Sequence, residues 1–129
     1  MSILIVDDQP AHLMLLTTFL EGAGYEVASA RNGREALSYL RRTSDLPSLI
    51  LLDIAMPQVT GWDFLRAQQQ EAHLAVIPVI IMTALGPLDH QKVTPSVVAF
   101  LEKPIHLAEL EALLHAYEQP QLQSRVVGK

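Results

Sequence analysis

Short runs of consecutive apolar residues alternate along the chain with longer segments of helical periodicity. Four runs of four or five mostly aliphatic residues stand out: Ile3–Val6, Leu49–Leu52, Val79–Met82 and Val97–Leu101. An unbroken apolar run of this length predicts a strand that is covered on both faces, as in a parallel sheet. A fifth run, Tyr25–Ala30, alternates partly between apolar and polar residues and predicts a less buried edge strand.

Helical spacing of apolar residues fills the gaps between these runs. The predicted helices are Pro10–Glu21, Gly33–Arg42, Gly61–Gln70 and His106–Glu118. Before the last strand, Pro87 and Pro95 leave room for only about two helical turns. Alternation of strands and helices predicts a parallel α/β sheet with helices on both faces and right-handed crossovers. We expect residues 1–118 to form one domain and residues 119–129, which lack any period, to form a flexible tail or linker stub.

Composition narrows the function classes. The 129 residues are enough for one domain, and half of them are hydrophobic. Nine Lys and Arg against 14 Asp and Glu give a net charge of −5, which argues against direct nucleic-acid binding and against a basic membrane-surface segment. The absence of cysteine from the sequence excludes disulfides, thiolate metal sites and a cysteine nucleophile. The sequence has no membrane-span pattern and no signal-peptide layout, so we expect a soluble cytoplasmic domain.

Charged and polar residues follow most of the predicted strands directly. In an open α/β sheet, ligands bind beyond the carboxyl ends of the strands, so the topology would gather these residues on one rim. They are Asp7-Asp8 after the first strand, Asp53 after the third, Thr83 after the fourth and Glu102-Lys103-Pro104 after the fifth.

The residue types on this rim indicate phosphoryl chemistry. Clustered carboxylates repel one another, and a hard cation such as Mg²⁺ relieves the repulsion while keeping positions open for phosphate oxygens. A lysine ammonium and a threonine hydroxyl, supplied by Lys103 and Thr83, suit those oxygens. An aspartate that attacks phosphorus forms an aspartyl phosphate. The residues therefore predict metal-assisted phosphoryl transfer onto a carboxylate.

Five segments carry a resemblance to a known family: Ile5-Val6-Asp7-Asp8, Leu51-Leu52-Asp53-Ile54-Ala55-Met56-Pro57, Gly61, Thr83-Ala84 and Lys103-Pro104. Through them the chain resembles, from Ile3 to about Tyr117, the receiver domain of two-component response regulators, a CheY-like family. The resemblance implies a flavodoxin-like three-layer αβα fold with a five-stranded sheet in the order 2-1-3-4-5. It also implies a stoichiometric phosphoacceptor rather than a turnover enzyme.

The family's acidic residues map onto this chain directly. The resemblance implies that Asp53 is the phosphoacceptor. It further implies that Mg²⁺ is held by Asp7, Asp8, Asp53 and the backbone carbonyl of Ala55.

The remaining site residues also follow from the resemblance. Thr83 and Lys103 are expected to bind the phosphoryl group, and the peptide bond before Pro104 is expected to be cis. Phe100 matches the aromatic partner of Thr83 in the family's switch, although it lacks a hydroxyl for hydrogen bonding. The implied partners are a sensor histidine kinase or histidine phosphotransfer protein and a downstream protein or output domain. No contact with nucleic acid or membrane is expected.

Simpler interpretations stand beside these. The Asp7-Asp8 pair suits the N-cap of the first helix, and we expect Asp8 or a neighbour to cap it as well. The five histidines show no ligand spacing and are expected at solvated or boundary positions.

Two other functions compete with the phosphoacceptor. Phe100 and the short fourth helical segment favour a phosphorylation-independent interaction module with a decayed switch. A haloacid-dehalogenase-like phosphohydrolase needs a carboxylate two residues after its nucleophile, where this chain has Ala55.

Overall fold

Five parallel strands form one sheet in the computed structural model, which describes residues 1–54, 60–84 and 90–118. The strands are β1 (Ser2–Val6), β2 (Glu26–Ala30), β3 (Leu49–Asp53), β4 (Val79–Thr83) and β5 (Val97–Glu102). Their order is β2-β1-β3-β4-β5, with every neighbouring pair parallel. The predicted flavodoxin-like topology is confirmed, including the place of β2 at an edge.

The helices connect these strands. They are α1 (Pro10–Gly22), α2 (Gly33–Arg42), α3 (Gly61–Gln69), α4 (Ala72–Ala75) and α5 (Leu107–Glu118). Four of them begin and end within one residue of the predicted bounds, whereas the four-residue α4 is too short for a periodic signal and was not predicted. The described part of the connection between β4 and β5 holds a single 3₁₀ turn, His90–Lys92. Among the described helices, none has the length and apolar character needed to cross a bilayer.

Two apolar clusters cover the two faces of the sheet. Successive residues of β1 and β3 point to opposite faces. One cluster joins Leu4, Val6, Ile50 and Leu52 to residues of α2 and α3, including Leu37, Leu40, Phe64 and Leu65. The other joins Ile3, Ile5, Leu49 and Leu51 to residues of α1 and α5, including Leu16, Leu20, Leu110 and Leu114. Because both faces are buried, these strands carry no polar alternation, and the three-layer arrangement follows.

The prediction that the fifth strand is covered on both faces is wrong. Burial alternates along β5, leaving Val98 and Phe100 39% and 41% exposed. The strand lies at the edge of the sheet, where it pairs with β4 alone. The described part of the connection before it holds only the short 3₁₀ turn. One side of β5 is therefore an apolar surface open to solvent in the described structure.

Candidate functional site

Three carboxylates meet where β1 and β3 end side by side. Val6 pairs in register with Leu52, so the next residues along the two strands, Asp7 and Asp53, lie side by side. The peptide N–H of Asp7 donates to the carbonyl of Ala30 at 3.0 Å, which continues the pairing with β2. Carboxylate oxygens of Asp7, Asp8 and Asp53 lie within 4.8 Å of one another. Asp7 and Asp53 are buried, whereas Asp8 is partly exposed.

Lys103 places an ammonium group against this acidic cluster. Its Nζ lies 3.2 Å from Oδ2 of Asp53 and 3.8 Å from Oδ2 of Asp7. Its peptide N–H donates to the carbonyl of Thr83 at 2.7 Å, which ties the end of β5 to the end of β4. The peptide bond between Lys103 and Pro104 is cis. Sequence-distant residues thus converge, and one lysine contacts the two buried carboxylates of the cluster.

Thr83 and Phe100 lie beside the same opening. Thr83 is the last residue of β4 and pairs in register with Glu102. A cavity of about 590 Å³ is lined by Thr83, Phe100 and Lys103. Phe100 pairs with Ile81 in the sheet, and its ring lies on the exposed face of β5. The hydroxyl and the aromatic that the sequence singled out therefore share one cavity.

His12 is a site residue to which the sequence interpretation assigned no role. Its Nδ1 pairs with Oδ2 of Asp7, and the peptide N–H of Gln9 donates to Oδ1 of the same carboxylate at 2.9 Å. The available signal was its place in the first turn of α1, because helical side chains lean toward the helix N-terminus. A lone histidine without ligand spacing carries little information by itself.

The expected capping of α1 by Asp8 or a neighbouring side chain is wrong. Gln9 is the N-cap residue and makes no side-chain capping hydrogen bond. Pro10 occupies the first turn, where its missing N–H is one of those that have no partner within a helix. The carboxylates of the acidic cluster are therefore not explained by helix capping.

Gly61 brings α3 against the end of the site strand. Its peptide N–H donates to the carbonyl of Ile54 at 3.3 Å. A Cβ at this position would stand 2.7 Å from the Cα of Ile54 and 2.8 Å from the carbonyl oxygen of Asp53. Glycine is required because the backbones of α3 and of the residues that end β3 nearly touch.

Thr60 and Asp63 close the N-terminus of α3 with a capping box. The Thr60 side chain accepts from the peptide N–H of Asp63, and the Asp63 carboxylate accepts from the peptide N–H of Thr60. The carboxylate also accepts from the Thr60 hydroxyl at 2.9 Å. These hydrogen bonds, led by the hydroxyl, lower the pKa of Asp63. The reciprocal bonds anchor the helix at the point where it approaches the site.

The acidic cluster has the donor chemistry that Mg²⁺ prefers. Its oxygens are hard ligands, and the two buried carboxylates face a single lysine. The remaining ligand implied by the resemblance, the backbone carbonyl of Ala55, lies outside the described residues. The described geometry suits an oxygen-coordinated divalent cation beside a phosphoryl group.

A family comparison agrees with this geometry. The model of the response regulator receiver domain matches residues 3–115. The chain belongs to this family. Response regulator Rre1 of Synechocystis sp. is 39% identical over 116 residues, covering 88% of this chain and 49% of Rre1. The polar-differentiation response regulator DivK of Brucella anthropi is 32% identical over 118 residues, covering 90% of this chain and 94% of DivK. The receiver domain thus spans about half of Rre1 and nearly all of DivK.

Solved structures share the fold. The receiver domain of a signal transduction histidine kinase from Syntrophus aciditrophicus is 33% identical, with a TM-score of 0.80 and coverage of 90% of this chain and 88% of that one. The chemotaxis protein CheY4 of Vibrio cholerae is 28% identical, also with a TM-score of 0.80, covering 90% and 97%. This chain is a receiver domain of two-component signal transduction, a family whose members are generally not turnover enzymes.

Proposed function

We propose that this receiver domain accepts a phosphoryl group on Asp53 from a phosphohistidine of a sensor histidine kinase or histidine phosphotransfer protein. The observation that carries the proposal is the position of Lys103 Nζ, 3.2 Å from Asp53, within the cluster of carboxylates. A buried aspartate that faces both a lysine and further acids is arranged for chemistry rather than for packing. The same arrangement argues against a decayed switch.

The proposed transfer exchanges one bond to phosphorus for another and needs only a proton from solvent. A carboxylate oxygen of Asp53 forms a bond to phosphorus while the phosphorus–nitrogen bond of the donor breaks. The imidazole leaves with the electron pair and takes up a proton from solvent. The product is a mixed anhydride, and the Lys103 ammonium is placed to pair with its phosphoryl oxygens. The Thr83 hydroxyl, on the neighbouring strand end, supplies a hydrogen-bond donor to the same group.

The Asp7, Asp8 and Asp53 side chains would hold Mg²⁺, together with the carbonyl of Ala55 that the resemblance adds. The bound ion supplies positive charge that offsets the carboxylates and the phosphoryl oxygens. The chain itself keeps Asp7 oriented through the N–H of Gln9 and keeps Asp53 at the mouth of the site through its place at the end of β3.

The proposed output is a change of the surface formed by β5. Thr83 would turn toward the phosphoryl group, and the shared cavity leaves space into which the ring of Phe100 can move. Since Phe100 has no hydroxyl, burial of its ring would supply the bias between its two positions. A downstream protein or output domain would recognise the altered surface.

Intact-mass measurement tests the phosphoacceptor. The protein is incubated with Mg²⁺ and a small acyl phosphate or phosphoramidate. We expect one phosphate adduct on the native protein and on Asp45→Asn, a control in an exposed loop that makes the same charge change. Asp53→Asn should carry none. No adduct on the native protein, or an undiminished adduct on Asp53→Asn, would overturn the proposal.

A further inference from the structure

We propose that His12 is a positioning residue of the cation site, where its ring holds the carboxylate of Asp7 in the orientation that binds Mg²⁺. The inference rests on the proposed function only through the identity of the cation. It arises from the contact between Nδ1 of His12 and Oδ2 of Asp7.

Hydrogen bonding at Asp7 explains why a positioning group is needed. The side chain of Asp7 is completely buried, and a buried carboxylate requires donors at its oxygens. Oδ1 has the peptide N–H of Gln9. At Oδ2, Lys103 is 3.8 Å away, beyond ordinary hydrogen-bond distance, so the described donor in direct contact is His12. Because a carboxylate only accepts, the bonded ring nitrogen carries the hydrogen whether the ring is neutral or protonated.

The ring of His12 is itself fixed. It belongs to α1, whose first turn is closed by the bond from the N–H of Leu13 to the carbonyl of Gln9 at 3.0 Å. Its side chain is only 15% exposed. A donor held by both helix and packing leaves the Asp7 carboxylate little freedom to rotate.

His12 also affects the partner of Asp53. Lys103 Nζ is nearer to Asp53, at 3.2 Å, than to Asp7, at 3.8 Å. Without the imidazole, Oδ2 of Asp7 would lack its direct donor, and the flexible lysine would be drawn toward it. His12 therefore keeps the lysine available to Asp53 while it orients Asp7.

The opposite hypothesis is that His12 competes with the cation for Oδ2, and the two make opposite predictions. If His12 positions Asp7, then His12→Leu weakens Mg²⁺ binding; if it competes, the same change strengthens binding. Loss of a hydrogen-bond partner behind a metal ligand weakens affinity about 10- to 100-fold in comparable sites. His12→Asn can present an amide N–H near the position of Nδ1 and should restore most of the affinity.

Calorimetric titration of the full chain with Mg²⁺, without any phosphate donor, is the test. We expect at least tenfold weaker binding for His12→Leu, near-native binding for His12→Asn and no change for His115→Leu, a control on the exposed face of α5. If His12→Leu does not fold, His12→Gln replaces it. Glutamine places its amide near the position of Nε2 rather than Nδ1, so the His12→Gln variant should bind Mg²⁺ weakly. Native or tighter binding by the Leu or Gln variant would overturn the inference, as would absence of Mg²⁺ binding by the native protein. Mg²⁺ binding without a phosphate adduct would instead overturn the proposed function and leave the role of His12 intact.

Discussion

Removing one carboxylate from the acidic cluster should stabilise the protein when no divalent cation is present. Asp53→Asn makes this change with little difference in volume. The side chain of Asp53 is 4% exposed in the native protein, so solvent screens its interactions with Asp7 and Asp8 only weakly. The substitution removes the acceptor of the proposed reaction and also relieves repulsion in the folded state.

The size of the effect follows from the distances. At an effective dielectric constant of about 20, two like charges 4.8 Å apart, the largest separation in the cluster, repel by about 3.5 kcal/mol. The attraction between Asp53 and Lys103 at 3.2 Å is worth about 5 kcal/mol on the same scale. Asp53→Asn gives up that attraction and two repulsions, which leaves a net stabilisation of about 2 kcal/mol. In a domain of this size, each kcal/mol of added stability raises the melting temperature by about 3 to 5 °C.

Denaturant unfolding in EDTA, repeated with excess Mg²⁺, measures the effect. We expect Asp53→Asn to be more stable than native in EDTA. It should gain less stability from Mg²⁺, because a cation stabilises the folded state in proportion to its affinity and the variant lacks one of the proposed ligands. Asp45→Asn lowers the net negative charge equally at an exposed position and should behave like native protein. If Asp53→Asn is less stable than native in EDTA while Asp45→Asn is unchanged, the reasoning from charge repulsion is wrong.

Three further predictions concern the elements that position the site. Gly61→Ala places a Cβ 2.7 Å from the Cα of Ile54 and should cost about 1 to 3 kcal/mol in denaturant unfolding, whereas Gly22→Ala, with nothing within 4 Å, should cost nothing; equal stabilities would contradict the close approach of α3. Thr60→Ala should raise the pKa of Asp63 toward its usual value, which NMR titration would measure. Loss of the Thr60 N-cap should also cost about 1 kcal/mol of stability near neutral pH. Because the folded-state pKa of Asp63 is lowered, its contribution is present above the unfolded-state pKa and is lost as pH falls through the folded-state value, so the difference between native and Thr60→Ala should shrink in acid; a constant difference would argue against the capping box. Gln68 is buried and donates to two backbone carbonyls in and just after α4, at 2.9 and 3.1 Å, so Gln68→Leu should cost about 1 to 3 kcal/mol, and a neutral result would show that water replaces those bonds.

Much of the site was predictable because it depends on topology. The carboxyl ends of parallel strands share one edge of the sheet, so residues that follow different strands meet there. This rule predicts from the sequence that Asp7, Asp53 and Lys103 share one rim. The structure adds their distances and shows that the lysine is closer to Asp53 than to Asp7.

Other features depended on contacts that no local pattern encodes. The unbroken apolar run of β5 resembles that of β3, yet Phe100 is 41% exposed because β5 lies at the edge of the sheet. Gly61 was visible as a motif residue, but its reason, the approach to Ile54, comes from the packing of α3. The contact of His12 with Asp7 depends likewise on how α1 meets the end of β1.

Hydrophobic periodicity was enough to predict the five strands and the four long helices, because it repeats along the chain. The alternation of strands and helices was enough to predict which residues share one rim, whereas the order of the strands came from the family resemblance. Packing between elements was needed to show which surface of β5 stays open, why Gly61 lacks a side chain and which histidine contacts the acidic cluster. Each of these depends on a single close contact between elements, and one contact leaves no repeating trace in the sequence.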